Sequence, residues 1–278
     1  MHPYLIRFSE ISIAAYPILY GLGITFAGIL IIILGIQQGY NIKKLGNLLL
    51  VITFAILVGS RIFYVLQYHT DFENKWNQAF DFVNGGQVFY GGLLLTIPSI
   101  ILYCKLSHLP IRGVFDIIAV ATPLGLIVGR LGCFCRGCCY GKITNSSLAV
   151  SFPKHIDFMG NIIGSPAFIH QLNDKVIAHA TLHSLPVHPT QLYSAFASLC
   201  IFIFMFWLYK KEYAKGRLLF VYLFVYAIFR FFIEFIRNNE IIFIGLTMAQ
   251  IISCFFIVGC LFSKYIFVLR KKVCHEDK

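Results

Sequence analysis

Arg61, Arg130 and Arg230 each interrupt an otherwise apolar run, where charge is costly and usually faces a cavity, a partner or a substrate. Arg230 is followed by Glu234 and Arg237, and the i, i+4, i+7 spacing places all three on one helix face. A guanidinium stays charged and presents a planar fork of donors, which suits phosphate. Polar groups also stand near the starts of neighbouring apolar runs: Tyr16 and Tyr20, Tyr90-Gly91-Gly92, His188 with Gln191 and Tyr193, and Gln250. Four cysteines, Cys133, Cys135, Cys138 and Cys139, form a C-x-C-x-x-C-C cluster just beyond Arg130.

These residues are set in a chain of 278 residues that is 58% hydrophobic and only 13% charged, with a mean hydropathy of +0.77. An ordinary soluble domain carries about 25% charged residues. The deficit excludes a disordered protein, a nucleic-acid binder with a solvated surface, and most water-soluble enzymes. A membrane span needs about 20 mostly apolar residues. Seven such runs are expected: Ile13–Ile36, Asn47–Leu66, Val88–Cys104, Val114–Phe134, Pro189–Leu208, Leu218–Phe235 and Leu246–Phe267. The first reads as a span and not a cleaved signal, because no small-residue cleavage site follows it. The fold expected is therefore an all-α integral membrane protein, a single transmembrane domain over residues 1–278. Its one long interruption, Gly141–Val187, holds Pro153, Pro166 and Pro186 and reads as an extramembrane arm between the fourth and fifth spans.

The net charge of +11 then reads as topology and not as affinity for nucleic acid. Lys43, Lys44, Lys105, Arg112, Lys210, Lys211, Lys215 and Arg217, with the tail cations from Lys264 to Lys278, all fall on one side of the seven runs. Basic loops stay cytoplasmic. That sets the C-terminus inside, and the N-terminus and the arm outside. The second, fourth and sixth spans then run outward, and at 1.5 Å per residue Arg61 lies about 21 Å along its span from Asn47. All three arginines thus reach the outer half of their spans, level with the polar starts of the inward-running ones.

Each residue also has a plainer account. Arg61 could snorkel to headgroups, Tyr16 and Tyr20 could belong to an interfacial aromatic belt, and Glu234 could serve only to neutralise Arg230. Convergence at one depth favours a single site. A phosphate met in the outer leaflet is most economically a phospholipid headgroup, and Gly91, Gly92, Gly125, Gly129, Gly132 and Gly141 would let backbone approach it closely.

The run Gly129-Arg130-Leu131-Gly132-Cys133-Phe134, closing at Tyr140-Gly141, resembles the G-R-x-G-N-F-x-N-G-E-x-x-G signature of the prolipoprotein diacylglyceryl transferases. Further matches occur in order: Tyr16 to Tyr20-Gly21, Gly59-Ser60-Arg61-Ile62, Phe89-Tyr90-Gly91-Gly92-Leu93, and His188-Pro189-Thr190-Gln191-Leu192-Tyr193. Phe229-Arg230 through Glu234 to Arg237, and Met248-Ala249-Gln250-Ile251, complete the set. The resemblance implies a multi-pass enzyme of the bacterial inner membrane with its site toward the outer leaflet. Such enzymes move the diacylglyceryl group of phosphatidylglycerol onto the lipobox cysteine of a prolipoprotein, giving a thioether and glycerol phosphate. Its implied partners are phosphatidylglycerol, prolipoprotein signal peptides with a lipobox and membrane lipid, with no nucleic acid, no cofactor and no metal.

It also implies roles. Arg130, Arg230, Glu234, Tyr90 and His188 are the expected catalytic residues. Arg130, Tyr16, Tyr20, Arg61, Gly91, Gly92, Gly132, Gly141, Gln191, Tyr193 and Arg237 are expected to contact lipid. The chain departs from the family pattern where Cys133, Arg136 and Cys138 replace Asn, Asn and Glu, and where Tyr90 replaces the His before Gly-Gly. Three readings of the cysteines stand: close packing in a turn, a disulfide joining Cys133 or Cys135 to Cys138 or Cys139, and a reactive or ligating thiol. C-x-C-x-x-C-C lacks the second knuckle of a zinc motif. Competing readings of the whole are a related phospholipid-dependent transferase with another acceptor, an anion transporter and a thiol-redox membrane protein. The transporter would need polar residues continuing to the cytoplasmic side, and the inner halves of these spans are nearly all apolar.

Overall fold

The computed structural model describes residues 4–8, 11–72, 88–154, 164–239, 241–243 and 245–261. They are predominantly helical, as expected, with one small addition at the start. A two-stranded antiparallel hairpin, β1 (Tyr4–Phe8) and β2 (Ile11–Ala14), leads directly into α1 (Ala15–Gln37). Ile13, the expected start of the first span, falls in β2 and the helix begins at Ala15, because β-branched alternation suits a strand as well.

After α1 come α2 (Ile42–Gln67), α3 (Phe89–Leu106), α4 (Ile111–Arg136), the short α5 (Pro166–Asn173), α6 (Thr190–Lys210), α7 (Leu218–Ile233) and α8 (Met248–Leu261). A 3₁₀ turn, Glu234–Ile236, extends α7. Capping sets several starts. The Asn41 side chain accepts from the Lys43 N–H at 2.8 Å at the head of α2, and Ser165 caps α5 with Pro166 inside its first turn. Between the caps, apolar residues occupy nearly every face, and large side chains such as Leu50, Phe54, Phe196 and Phe255 stay exposed. Water would not tolerate that surface; lipid does.

Among the described residues, five helices are long and apolar enough to cross a membrane: Ala15–Gln37, Ile42–Gln67, Ile111–Arg136, Thr190–Lys210 and Leu218–Ile236. The third and seventh expected spans coincide with the shorter apolar helices Gly91–Leu106 and Met248–Leu261, and the end of the seventh run lies outside the described residues.

The chain divides into two compact units, Met1–Ala27 with Ala119–Lys278, and Gly28–Ile118. In the second unit α2 and α3 cross where a Cβ on Gly59 would stand 2.5 Å from the Gly91 carbonyl oxygen. Leu48, Ile100, Cys104, Leu109 and Val114 form its core. In the first unit α1 and α4 approach at Gly23 and Gly125, where a Cβ on Gly23 would lie 2.7 Å from the Gly125 carbonyl oxygen. The described part of the arm forms a small lobe in this unit. Tyr140, Phe152, Ala167 and Val187 make its core, and isolated bridges Ile143–Val187, Val150–Val187 and Pro153–His183 hold it together.

Candidate functional site

The first unit gathers most of the residues singled out from sequence. Glu234 is 1% exposed at its side chain, and its Oε2 stands 3.0 Å from Arg230 Nη1 and 3.9 Å from Arg237 Nε. Asn239 donates to the other carboxylate oxygen. Arg130, projecting from α4, bonds the Tyr226 hydroxyl and lies within electrostatic range of Arg230. Tyr226, Arg230 and Glu234 are spaced i, i+4, i+8, so one stripe of α7 and its 3₁₀ extension supplies Arg230 itself and the groups that orient Arg230, Arg130 and Arg237. Three guanidiniums therefore converge, and among the described residues Glu234 is the carboxylate that pairs with them. The cluster keeps a surplus of two positive charges in a largely buried setting, which calls for an anion.

Backbone stitching fixes the cluster against the mouth of the arm. Gly141 pairs with Arg237, the Lys142 N–H donates to the Ile236 carbonyl at 2.8 Å, and the Gly141 N–H donates to the His188 carbonyl at 2.9 Å. A Cβ at Gly141 would lie 2.6 Å from the Ile236 carbonyl oxygen and 2.7 Å from His188 Cβ, so three chain segments meet at this glycine. The His188 imidazole contacts the Tyr193 hydroxyl at 3.5 Å.

The cysteine segment turns beside these residues. α4 ends in a Schellman arrangement: the Gly137 N–H donates to the Phe134 carbonyl (3.1 Å) and the Cys138 N–H to the Cys133 carbonyl (3.2 Å), with Gly137 at φ +75°. The start of α6 clamps Cys138 and Cys139 in place. Thr190 Oγ1 donates to the Cys139 carbonyl at 2.6 Å, and Gln191 Nε2 donates to the Cys138 carbonyl at 2.7 Å. Gln191 Oε1 is buried and has no hydrogen-bond partner among the described residues. The thiols of Cys133, Cys135, Cys138 and Cys139 are all free. Hydrogen bonds from Cys133 and Cys138, aided by Arg237 and Arg130, hold the Cys139 thiol well below the usual thiol range against the opposing effect of burial. The same sharing pushes Cys138 up.

Tyr16 stacks on Tyr20 with ring centroids 5.9 Å apart, and the Arg136 guanidinium lies 5.2 Å from the Tyr16 centroid. Gly132 makes room for this approach, since its Cβ would meet Leu19 Cβ at 3.2 Å and the Tyr16 carbonyl oxygen at 3.4 Å. Tyr20 is 47% exposed, as an interfacial tyrosine would be. Sequence reasoning passed over Tyr226 and the clamping role of Thr190. The i−4 spacing from Arg230 was the available signal for Tyr226.

Arg61, Tyr90, Gly91 and Gly92 belong to the second unit. Arg61 is 3% exposed and lies over the rings of Tyr64 (5.3 Å) and Phe72 (5.8 Å), so it is packed and not snorkelling. Gly91 and Gly92 lie against α2, within reach of Gly59 and Ile56 respectively. The side chain of Tyr90 falls outside the described residues. Gln250 is buried and accepts from the Thr247 N–H at 2.9 Å, a structural cap at the head of α8.

The model of the family described as prolipoprotein diacylglyceryl transferase matches residues 3–266. The phosphatidylglycerol–prolipoprotein diacylglyceryl transferase 2 of Clostridium perfringens (strain 13 / Type A) is 30% identical over 251 residues, covering 90% of this chain and 89% of that one. The phosphatidylglycerol–prolipoprotein diacylglyceryl transferase of Clostridium tetani (strain Massachusetts / E88) is 28% identical over 275 residues, 98% of this chain and 100% of its own. That of Vibrio vulnificus (strain YJ016) is 31% identical over 228 residues, 80% and 74% of the two chains. An arginine cluster short of negative charge, built on matching signature positions, agrees with them: the chain belongs to the prolipoprotein diacylglyceryl transferase family.

Proposed function

We propose that this chain transfers the diacylglyceryl group of phosphatidylglycerol to the lipobox cysteine of a prolipoprotein, at the outer leaflet of the bacterial inner membrane. The surplus of two positive charges at Arg130, Arg230, Arg237 and Glu234 carries the reading, because a lipid phosphodiester supplies the missing anion. The thiol sulfur forms a bond to the glyceryl carbon, the carbon–oxygen bond to phosphate breaks, and glycerol phosphate departs with the electron pair. Arg130 and Arg230 hold that phosphate and meet the charge that grows on it as the bond breaks. Glu234 aims Arg230 and Arg237. Gln191 Oε1, a buried acceptor, is matched to a hydroxyl donor such as the headgroup glycerol offers.

The thiol must lose its proton. We assign that step to His188, histidine being the commonest general base. Tyr90, at the position of the family's histidine, is the rival for that step. Tyr16, Tyr20, Tyr193, Gly132 and Gly141 shape the lipid's surroundings, and Arg61, Gly91 and Gly92 make a second set of lipid contacts. Two further helices complete seven spans, with the N-terminus outside and the C-terminus cytoplasmic.

Purified protein incubated with phosphatidylglycerol vesicles and a lipobox peptide tests the reading by mass spectrometry. The expected product is the peptide carrying a diacylglyceryl thioether, together with free glycerol phosphate. Intact, folded protein that leaves both substrates unchanged overturns it. Consumption of lipid without peptide modification points to a different acceptor.

A further inference from the structure

Three thiols of the C-x-C-x-x-C-C segment meet at one point. A Schellman motif brings the side chain after its glycine back beside the side chain of the last full turn. Here those two positions are Cys138 and Cys133, so the helix stop itself pairs their sulfurs. Cys139 comes next, in the left-handed region at φ +59°, a conformation that a non-glycine residue rarely holds. That bend adds its thiol to the pair. The three Sγ atoms all lie within 4.8 Å of one another, and Cys135 is outside the group. The carbonyls behind Cys138 and Cys139 are tied down by Gln191 and Thr190, so the arrangement is imposed by a second helix and not by the thiols alone.

We propose that Cys133, Cys138 and Cys139 bind one soft d¹⁰ metal ion of the zinc class as thiolates. Sulfur ligands at about 2.3 Å from such an ion stand roughly 3.8–4.0 Å apart, within the 4.8 Å that bounds this set. Soft thiolates select zinc or cuprous copper over magnesium and calcium. Binding releases the thiol protons to solvent and involves no electron transfer. The charge closes as well: three thiolates around a divalent ion carry one net negative charge and a lipid phosphodiester another, against the surplus of two at the arginines. A lone C-x-C-x-x-C-C looks one knuckle short in sequence, because the Gly137 turn that folds one end onto the other is a property of the backbone. The metal site stands independently of the lipid reaction and is tested without it.

The full-length protein in detergent is reduced, stripped with a chelator and titrated with cobalt(II), which zinc then displaces. The expected result is one cobalt per chain with thiolate-to-metal charge-transfer absorption. Cys133→Ser, Cys138→Ser and Cys139→Ser each lose most of that absorption, and Cys135→Ser keeps it. The wild-type spectrum reads thiolate ligation without any variant, so a misfolded mutant leaves the test intact. Absence of charge-transfer absorption in the reduced wild-type overturns the proposal. So does equal cobalt uptake by the triple serine variant, or peptide mapping of unreduced protein that finds any of these three sulfurs in a disulfide.

Discussion

The Arg230 guanidinium stands 3.0 Å from the Glu234 carboxylate, across the turn where α7 tightens into a 3₁₀ helix. Glu234 is almost wholly enclosed and serves Arg237 as well, so its charge holds two cations in a setting neither would tolerate alone.

Glu234→Gln keeps the volume and removes that charge. Breaking a buried pair from one side costs about 3–5 kcal/mol. The expected outcome is a markedly lower Tm in detergent and lipid transfer reduced about tenfold or more. Phosphatidylglycerol at high concentration restores part of the Tm, because a bound anion replaces the missing one.

Arg130→Lys tests whether a fork or merely a positive charge is needed. If Arg130 meets charge that develops on the leaving phosphate, kcat falls by about 10²–10³ with little change in Tm. Tyr226→Phe removes only the hydroxyl that orients Arg130, a loss of about 1 kcal/mol, and transfer falls severalfold. Steady-state kinetics on both variants, with KM and kcat separated, check the assignment.

Gly141→Ala places a methyl among the Ile236 carbonyl, His188 and Thr190 at 2.6–2.9 Å. Overpacking of this kind costs about 1–3 kcal/mol. Gly21→Ala meets nothing within 4 Å and is the matched control. The first substitution lowers both Tm and transfer, and the second leaves them at the wild-type level.

Thr190→Val keeps the shape of the α6 start and deletes the donor to the Cys139 carbonyl. Leaving this part-buried carbonyl unpaired costs about 1 kcal/mol. Hydrogen–deuterium exchange rises at Cys138–Gly141, and iodoacetamide labels Cys139 at an altered rate, with α6 otherwise protected.

The arginine cluster was legible in sequence for a simple reason. In a chain so sparsely charged, Arg130, Arg230, Glu234 and Arg237 stand out, and helical spacing alone puts three of them on one face. Tyr226 lies on that same face, but it is one aromatic in a chain that is 16% Phe, Trp and Tyr, and nothing in its type separates it from packing. The thiol cluster was half legible. Linear spacing treats Cys135 as equivalent to its neighbours, whereas the left-handed residues Gly137 and Cys139 fold Cys138 and Cys139 onto Cys133 and pass Cys135 by. The hairpin before α1 was hidden because hydropathy does not distinguish an apolar strand from the first turn of an apolar helix.

The pairing of Gly141 with Arg237 has a consequence for how the protein is made. A chain entering the membrane from its N-terminus delivers Arg130 and the cysteine turn early, and both must wait. Thr190 and Gln191 arrive only with α6, and the partner segment at Ile236 and Arg237 arrives only after α7 has inserted. The turn lacks its clamps until α6 arrives, and Arg130 lacks Tyr226 until α7 does. The centre therefore assembles only once α7 has inserted, and a ribosome stalled before α7 would leave a membrane-inserted chain holding Arg130 alone of the three clustered arginines.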